Sequence, residues 1–259
     1  MDWQEISGSW VLIPRHPIAI VHFLGGAFVA TAPQLTYRWL LEQLGQEGYV
    51  VIATPFTNGL DHKAIARNVL NRFESVFQRL HTTRAISDRS LPIYGIGHSM
   101  GCKLHLLIGS LYSVERAGNI LISYNNYPAR QAIPFIEQFN LAPAFDVEFT
   151  PSPEQTNELV AQDYEVRRNL LIKFSKDDID QTLNLTPVLQ GRFPNLVAMQ
   201  KLPGNHLTPL SQQIDWQAGE KFTPLDAFAQ WVKQEFSQDM MRLKQEILLW
   251  LNPVLPTQG

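Results

Sequence analysis

The chain is short of cysteine, of charge and of long apolar runs. Its 259 residues include one cysteine, Cys102, which excludes an internal disulfide and any cysteine-based zinc cage. A single thiol is compatible with a reducing compartment. Charged residues make up 17% of the chain, below the usual ~25%, and 21 Lys+Arg against 24 Asp+Glu leave a net charge of −3. With no basic excess and no basic stripe, nucleic acid is not an expected partner. The most apolar stretch, IAIVHFLGGAFVA from Ile18 to Ala30, is too short for the roughly 20 residues that a bilayer span needs, and it contains His22 and two glycines. The start, MDWQEISGSW, has neither the basic and apolar order of a secretory signal nor the arginines of a transit peptide. The expected setting is the cytosol. Repeats, low-complexity tracts, a Walker-type loop and a G-x-G-x-x-G turn after the first strand are all missing, so no nucleotide cofactor is expected. Apolar residues nevertheless account for 45% of the chain, a globular composition that rules out disorder.

What is present alternates. Trp10–Pro14, Ile18–Phe23, Tyr49–Ala53, Pro92–Gly95, Ile120–Tyr124, Leu170–Phe174 and Leu196–Leu202 read as strands. Continuous apolar runs such as IAIVHF belong to strands buried on both faces of a parallel sheet. Between them lie helical patterns at Gln34–Leu44, Lys63–Leu80 and Ser99–Ile108, and a further one runs from Leu225 to Trp250. Such alternation predicts an α/β fold, a mostly parallel sheet with helices on both faces, as one domain over residues 1–259. The interval Asn125–Arg168 breaks the pattern: it holds five prolines and no strand of comparable strength. A connection this long reads as a lid-like insertion. Its apolar residues, Phe135 and Phe139 foremost, are the expected lining of a substrate pocket.

Gly97-His98-Ser99-Met100-Gly101 is a G-x-S-x-G pentapeptide between a strand and an apolar helix. The glycines are needed because the backbone turns sharply, and a side chain at either would meet neighbouring main chain. Ser99 at the apex is then the candidate nucleophile, and a serine hydroxyl needs a base. On such a framework the chain order is Ser, acid, His. Of seven histidines only His105 and His206 follow Ser99, and His105 has no acid between it and the serine, so His206 is the candidate base. The acid is sought after the strand Leu170–Phe174, in Ser175-Lys176-Asp177-Asp178-Ile179-Asp180. Asp177 is nearest the strand and is the first choice; Asp178 is the alternative, and Asp180 reads as a helix cap. Asn125-Asn126, after the preceding strand, cannot supply a charge. One oxyanion donor is expected from the N–H of Met100 and the second from Leu24 or Gly25 in the turn His22-Phe23-Leu24-Gly25-Gly26. His98 and His105 flank the elbow without metal-ligand companions, and Cys102 reads as a packing residue; no metal is expected.

In GHSMG, HFLGG, SKDD and PGNH, taken in order, the chain resembles the α/β-hydrolase superfamily, and HFLGGAF with KDDID resembles the uncharacterised cyanobacterial and plastid family catalogued as domain of unknown function 1350. The resemblance implies Ser99 as nucleophile, Asp177 as acid, His206 as base, and Leu24 and Met100 as oxyanion donors. It implies hydrolysis of an ester or thioester of a small or lipid-like acid, without a cofactor, and a stromal setting in plant relatives. The same parts could transfer an acyl group to an alcohol, and a non-catalytic member would only bind. Superfamily members usually carry His-Gly where this chain has His22-Phe23, so a differently shaped turn is expected.

Overall fold

The computed structural model describes residues 1–86, 88, 90–129, 148–210 and 238–252. Among the described residues eight strands form one sheet: β1 (Gln4–Ile6), β2 (Ser9–Leu12), β3 (Ala19–Leu24), β4 (Tyr49–Ala53), β5 (Ile93–His98), β6 (Gly118–Ile122), β7 (Asn169–Phe174) and β8 (Val197–Leu202). Their order is β1-β2-β4-β3-β5-β6-β7-β8. From β4 and β3 through β8 every pairing is parallel, whereas β1 and β2 form an antiparallel hairpin laid against β4. Parallel neighbours need crossovers, and helices supply them on both faces. The helices are α1 (Pro33–Thr36), α2 (Arg38–Gln46), α3 (His62–Thr82), α4 (Met100–Leu111), α5 (Pro153–Asp163), α6 (Thr182–Arg192) and α7 (Gln238–Leu251).

Every residue of β3, β4 and β6 is buried, which is why these strands read as unbroken apolar runs. The pattern Gln34–Leu44 divides into α1 and α2 at Tyr37, whose backbone leaves the helical region at ψ 17°. Helix α4 is buried on almost all sides, from Met100 to Gly109. It packs on the sheet between α3 and α5, so its N-terminus is fixed relative to the sheet's carboxyl edge. Of the expected tail helix Leu225–Trp250, residues 238–251 are helical and the earlier part lies outside the described residues.

The interval Asn125–Arg168 contains more regular structure than its sequence suggested. Helix α5 begins at a capping box: the Ser152 hydroxyl accepts the Gln155 N–H, and the Gln155 side chain returns to the Ser152 N–H. Val160 on α5 and Tyr164 just beyond it are buried with Cys102 and Leu106 of α4. The second half of the interval is therefore the ordinary crossover helix between β6 and β7. Phe135 and Phe139 lie outside the described residues.

A polar row crosses this apolar sheet. His22, Gly95, Asn119 and Asn169 are successive register partners on β3, β5, β6 and β7. The Tyr164 hydroxyl accepts from Asn119 Nδ2 and donates to Asn169 Oδ1, both at 2.7 Å. Gly95 has no room for a side chain, since a Cβ there would stand 2.3 Å from Asn119 Oδ1.

Candidate active site

Strand β5 ends at His98 and α4 begins at Met100, so one residue makes the whole turn. That residue, Ser99, has φ 53° and ψ −118°, a backbone state that L-residues rarely occupy. The surroundings hold it there. The Ser99 N–H donates to Ile122 O at 2.9 Å, tying the apex to β6. A Cβ on Gly97 would meet the Cys102 N–H at 2.6 Å, and one on Gly101 would meet the Leu24 carbonyl oxygen at 2.1 Å. Both glycines are thus required by the close approach of main chain, which is the steric argument the pentapeptide raised.

Three loops at the carboxyl edge converge on Ser99. The loop after β7 brings Asp177 and the loop after β8 brings His206. These two loops run side by side because the pairing of β7 with β8 continues past the strands: Ser175 N–H donates to Leu202 O at 2.8 Å and Lys176 N–H to Gly204 O at 2.9 Å. Gly204, at φ 119°, lets the second loop turn back. Asn205 then fixes the start of the His206 segment by accepting the Leu207 N–H on Oδ1 at 2.9 Å. His206 Nδ1 lies 2.8 Å from Asp177 Oδ2, and His206 Nε2 lies 3.0 Å from Ser99 Oγ. A carboxylate can only accept, so Nδ1 carries the proton and Nε2 faces the hydroxyl with its lone pair.

Burial by itself would raise the Asp177 carboxyl above its ordinary range. The hydrogen bond and the charge of His206 oppose this, as does the Ile179 N–H, and the balance falls below the ordinary value. Asp177 is therefore an anion at neutral pH, with a side chain 1% exposed against 17% for His206. Asp178 is exposed. Asp180 points elsewhere: it accepts the Thr182 N–H at 2.8 Å and the Thr182 hydroxyl at 2.9 Å at the start of α6, and pairs with Lys173 at 3.3 Å. The structure brings together Ser99, His206 and Asp177 and leaves the other two acids out.

The third loop, after β3, passes beside the apex. A Cβ on Gly26 would lie 3.3 Å from Ser99 Cβ and 3.1 Å from His98 Nδ1. Leu24 is fully buried at the end of β3, with Gly97 as register partner. The Gly26 N–H is already used: it donates to the Tyr37 hydroxyl at 2.7 Å. Tyr37 Oη has one proton of its own, which goes to His98 Nδ1 at 2.8 Å. His98 must then hold its proton on Nε2, from which it donates to the His206 carbonyl at 2.9 Å. Burial, and secondarily the neighbouring His206, push His98 down to about 3, so the ring is neutral. A single chain of hydrogen bonds thus links the glycine turn to the His206 loop. Phe23 packs edge-on against the Tyr37 ring with centroids 4.7 Å apart.

Sequence reasoning passed over Tyr37, the bridging role of His98, and Asn125, whose Nδ2 lies 3.0 Å from Ser99 Oγ. His98 carried a signal in its place beside the serine. Tyr37 and Asn125 carried none, because each reaches the site only through the packing of distant segments. Cys102, buried, rests its sulfur against the carbonyls of Gly97 and Ile122 at 3.2 and 3.1 Å. Among the described residues no His/Cys/Asp/Glu group has metal-binding geometry, and no helix is long and apolar enough to cross a membrane.

The family model described as "Protein of unknown function (DUF1350)" matches residues 2–253. No curated protein sequence matches the chain. Solved structures do. Fluorophosphonate-binding serine hydrolase F of Staphylococcus aureus, substrate bound, is 14% identical with TM-score 0.58, covering 94% of this chain and 92% of that one. Carboxyl esterase 2 of the mycorrhizal fungus Tuber melanosporum is 16% identical with TM-score 0.56, covering 92% and 79%. S-formylglutathione hydrolase of S. aureus, apoenzyme, is 15% identical with TM-score 0.53, covering 92% and 82%. At these identities the likeness is one of fold: the chain has the α/β-hydrolase architecture.

Proposed function

Given that the chain belongs to the DUF1350 family, whose description leaves the activity open, we propose that it is a serine hydrolase acting on an ester or thioester of a small or lipid-like acid. The observation that carries this reading is the continuous relay Asp177–His206–Ser99, at 2.8 and 3.0 Å, ending on a serine held at a strained turn. Strain of this kind persists only where surrounding structure over-determines it, and it concentrates at functional sites. That structural neighbours are named as esterases and serine hydrolases adds support.

In the proposed reaction Ser99 Oγ attacks the substrate carbonyl carbon and its proton passes to His206 Nε2. Asp177 keeps the imidazole in the required tautomer and stabilises it while charged, without taking the proton. Charge on the former carbonyl oxygen is met by the Met100 N–H, at the positive end of α4, and by a second N–H from Leu24 or Gly25. The Gly26 N–H is committed to Tyr37 and is not among these donors. His206 returns its proton to the leaving group, and water releases the acid from Ser99. No cofactor takes part, and the expected setting is the cytosol or a plastid stroma. Of the interval 125–168, the part that precedes α5, with Phe135 and Phe139 in it, is the proposed acyl-binding lid.

The test is covalent labelling by a fluorophosphonate probe together with hydrolysis of p-nitrophenyl esters. Wild type labels on Ser99 and turns over, whereas Ser99→Ala and His206→Ala, alone or combined, lose activity to about the same level, because triad members act as a unit. A wild type that neither labels nor hydrolyses any ester or thioester is a binding protein, and the proposal is then wrong. For the lid, catalytic efficiency rises from acetate to longer esters in wild type, and Phe139→Asp abolishes that rise; a flat series in wild type removes the acyl-lid reading.

A further inference from the structure

Asn125 stands three residues beyond β6, and its side chain contributes neither charge nor a titrating proton. Its Nδ2 nevertheless lies 3.0 Å from Ser99 Oγ, as close as His206 Nε2 on the other side. The residues flanking it leave little freedom. Tyr124 O accepts the Gln181 N–H at 2.7 Å, Asn126 N–H donates to Gln181 Oε1 at 2.5 Å, and Asn126 Nδ2 donates to Pro153 O at 2.9 Å. One step earlier, Ser123 N–H donates to Ile172 O at 2.8 Å. The chain on both sides of Asn125 is thus tied to β7 and to the first turns of α5 and α6, and the amide is held in place before any substrate arrives. Ser99 has one hydroxyl proton, directed at His206 Nε2, so the contact with Asn125 is an N–H donated to an Oγ lone pair. The opposite orientation of the amide would place two acceptors on one proton.

We infer that Asn125 is a further catalytic residue, whose N–H stabilises charge on Ser99 Oγ and acts chiefly when the acyl group leaves the serine. The inference rests on Ser99 being the nucleophile. Its logic is differential binding: an interaction accelerates a step only if it is stronger in the transition state than in the state before it. A free serine hydroxyl is already a good acceptor, so in acylation the Asn125 bond strengthens modestly. In the acyl-enzyme, Oγ is an ester oxygen whose lone pair is delocalised into the carbonyl, and it accepts poorly. During deacylation water attacks the acyl carbon and gives a proton to His206. The C–Oγ bond then breaks with its electron pair on Oγ, and Oγ takes the proton back from His206 Nε2. Between bond breaking and proton return Oγ is an anion, and the Asn125 N–H is aimed at it. The gain from ground state to transition state is therefore larger in deacylation.

Stopped-flow release of p-nitrophenol from p-nitrophenyl acetate separates the two steps, with fluorophosphonate labelling counting competent Ser99. Asn125→Ala is expected to label at Ser99, to release about one equivalent in a burst, and then to turn over about 10–100-fold more slowly than wild type. This is at or below the loss of about 10²–10³ for removing one full oxyanion donor. Asn125→Asp keeps the shape but replaces the donor by an anion beside Oγ. It is expected to slow deacylation at least as much and to move the pH profile of kcat/KM upward, which loss of packing alone would not do. Two results overturn the inference: Asn125→Asp with wild-type turnover and pH profile, or Asn125→Ala with labelling intact and no accumulated acyl-enzyme. Wild type that fails to label at Ser99 overturns the nucleophile assignment, and this inference with it.

Discussion

Two pairs of histidines, one at the edge of the sheet and one in its middle, differ in the sign of the charge beside them. At the carboxyl edge of the sheet His206 leans on the carboxylate of Asp177, and His98 braces the same loop through its carbonyl. Mid-sheet, His22 and His105 meet edge to face at 5.2 Å, with Arg116 Nη2 3.2 Å from His22 Nδ1. Arg116 lies over the Phe73 ring at 4.3 Å, and His22 stacks on that ring at 4.4 Å. Burial first and the guanidinium second hold His105 down to about 3 and His22 well below its ordinary value. A ring beside a carboxylate gains from becoming an imidazolium; a ring beside a guanidinium loses. Of these four rings only His206 has a carboxylate within hydrogen-bond distance among the described residues.

The sharpest way to break this comparison is to remove the carboxylate. Asp177→Asn should lower kcat by about 10⁴, the scale of the serine-protease precedent, because the amide favours the wrong tautomer of His206. Asp178→Asn, at an exposed position, should leave steady-state esterase kinetics unchanged. If the two variants exchange these behaviours, the acid is the other residue.

A smaller effect tests the brace. Tyr37→Phe leaves the Gly26 N–H without an acceptor and His98 Nδ1 without a donor, at a cost of about 1–3 kcal/mol in thermal or urea unfolding. Kinetically it should reduce kcat about tenfold with KM little changed, because the turn and the base loop lose their common tie. Unaltered kcat at full stability loss would make the chain from Gly26 to His206 purely structural.

The last test concerns acid stability, where His98 and His105 should behave alike. An unfolded histidine binds a proton as pH falls through about 6.5, while His98 and His105 in the fold resist until about 3. In that window the unfolded chain holds more protons, so stability is complete above about 6.5 and is lost as pH falls toward 3. His98→Gln and His105→Gln should each flatten the pH dependence of unfolding free energy by up to about 1.4 kcal/mol per pH unit. Only His98→Gln should also lower esterase activity. Equal activity losses would erase the distinction between the two regions.

The fold was largely legible because the parallel strands are buried on both faces and so spell continuous apolar runs, as in IAIVHF and YVVIA. The elbow was legible because its sterics are local: five residues carry the whole constraint. Hairpin strand β1, at three residues with none buried, gave too little pattern to read. Helix α5 was hidden by the prolines before it, although Ser152, Pro153 and Gln155 spell a capped helix start. Chain order drew attention to His206, but it carried no distance, and the 2.8 Å contact with Asp177 depends on the register of β8 against β7. In the sequence Asn125 stands where an acid is sought and cannot supply the charge, whereas its amide reaches Ser99 as a donor, a property visible only once β6 lies beside β5.

The paired course of the two loops beyond β7 and β8 also bears on how the chain can vary in length. Side chains alternate along a strand, so deleting one residue within Val197–Leu202 turns every later side chain to the opposite face and carries His206 away from Asp177. The excursion between the strands carries no such alternation, although Leu189 is buried and the Arg192 side chain donates to the carbonyls of Ala161, Gln162 and Tyr164. Helix α6 leaves after the acid and returns before β8, and a Cβ on Gly191 near its end would have no atom within 4 Å. Insertions should therefore be tolerated near Gly191 and excluded from the six residues of β8. Variants that differ in length around α6 can keep the same Asp177–His206 spacing, whereas a one-residue slip in the neighbouring edge strand dismantles it.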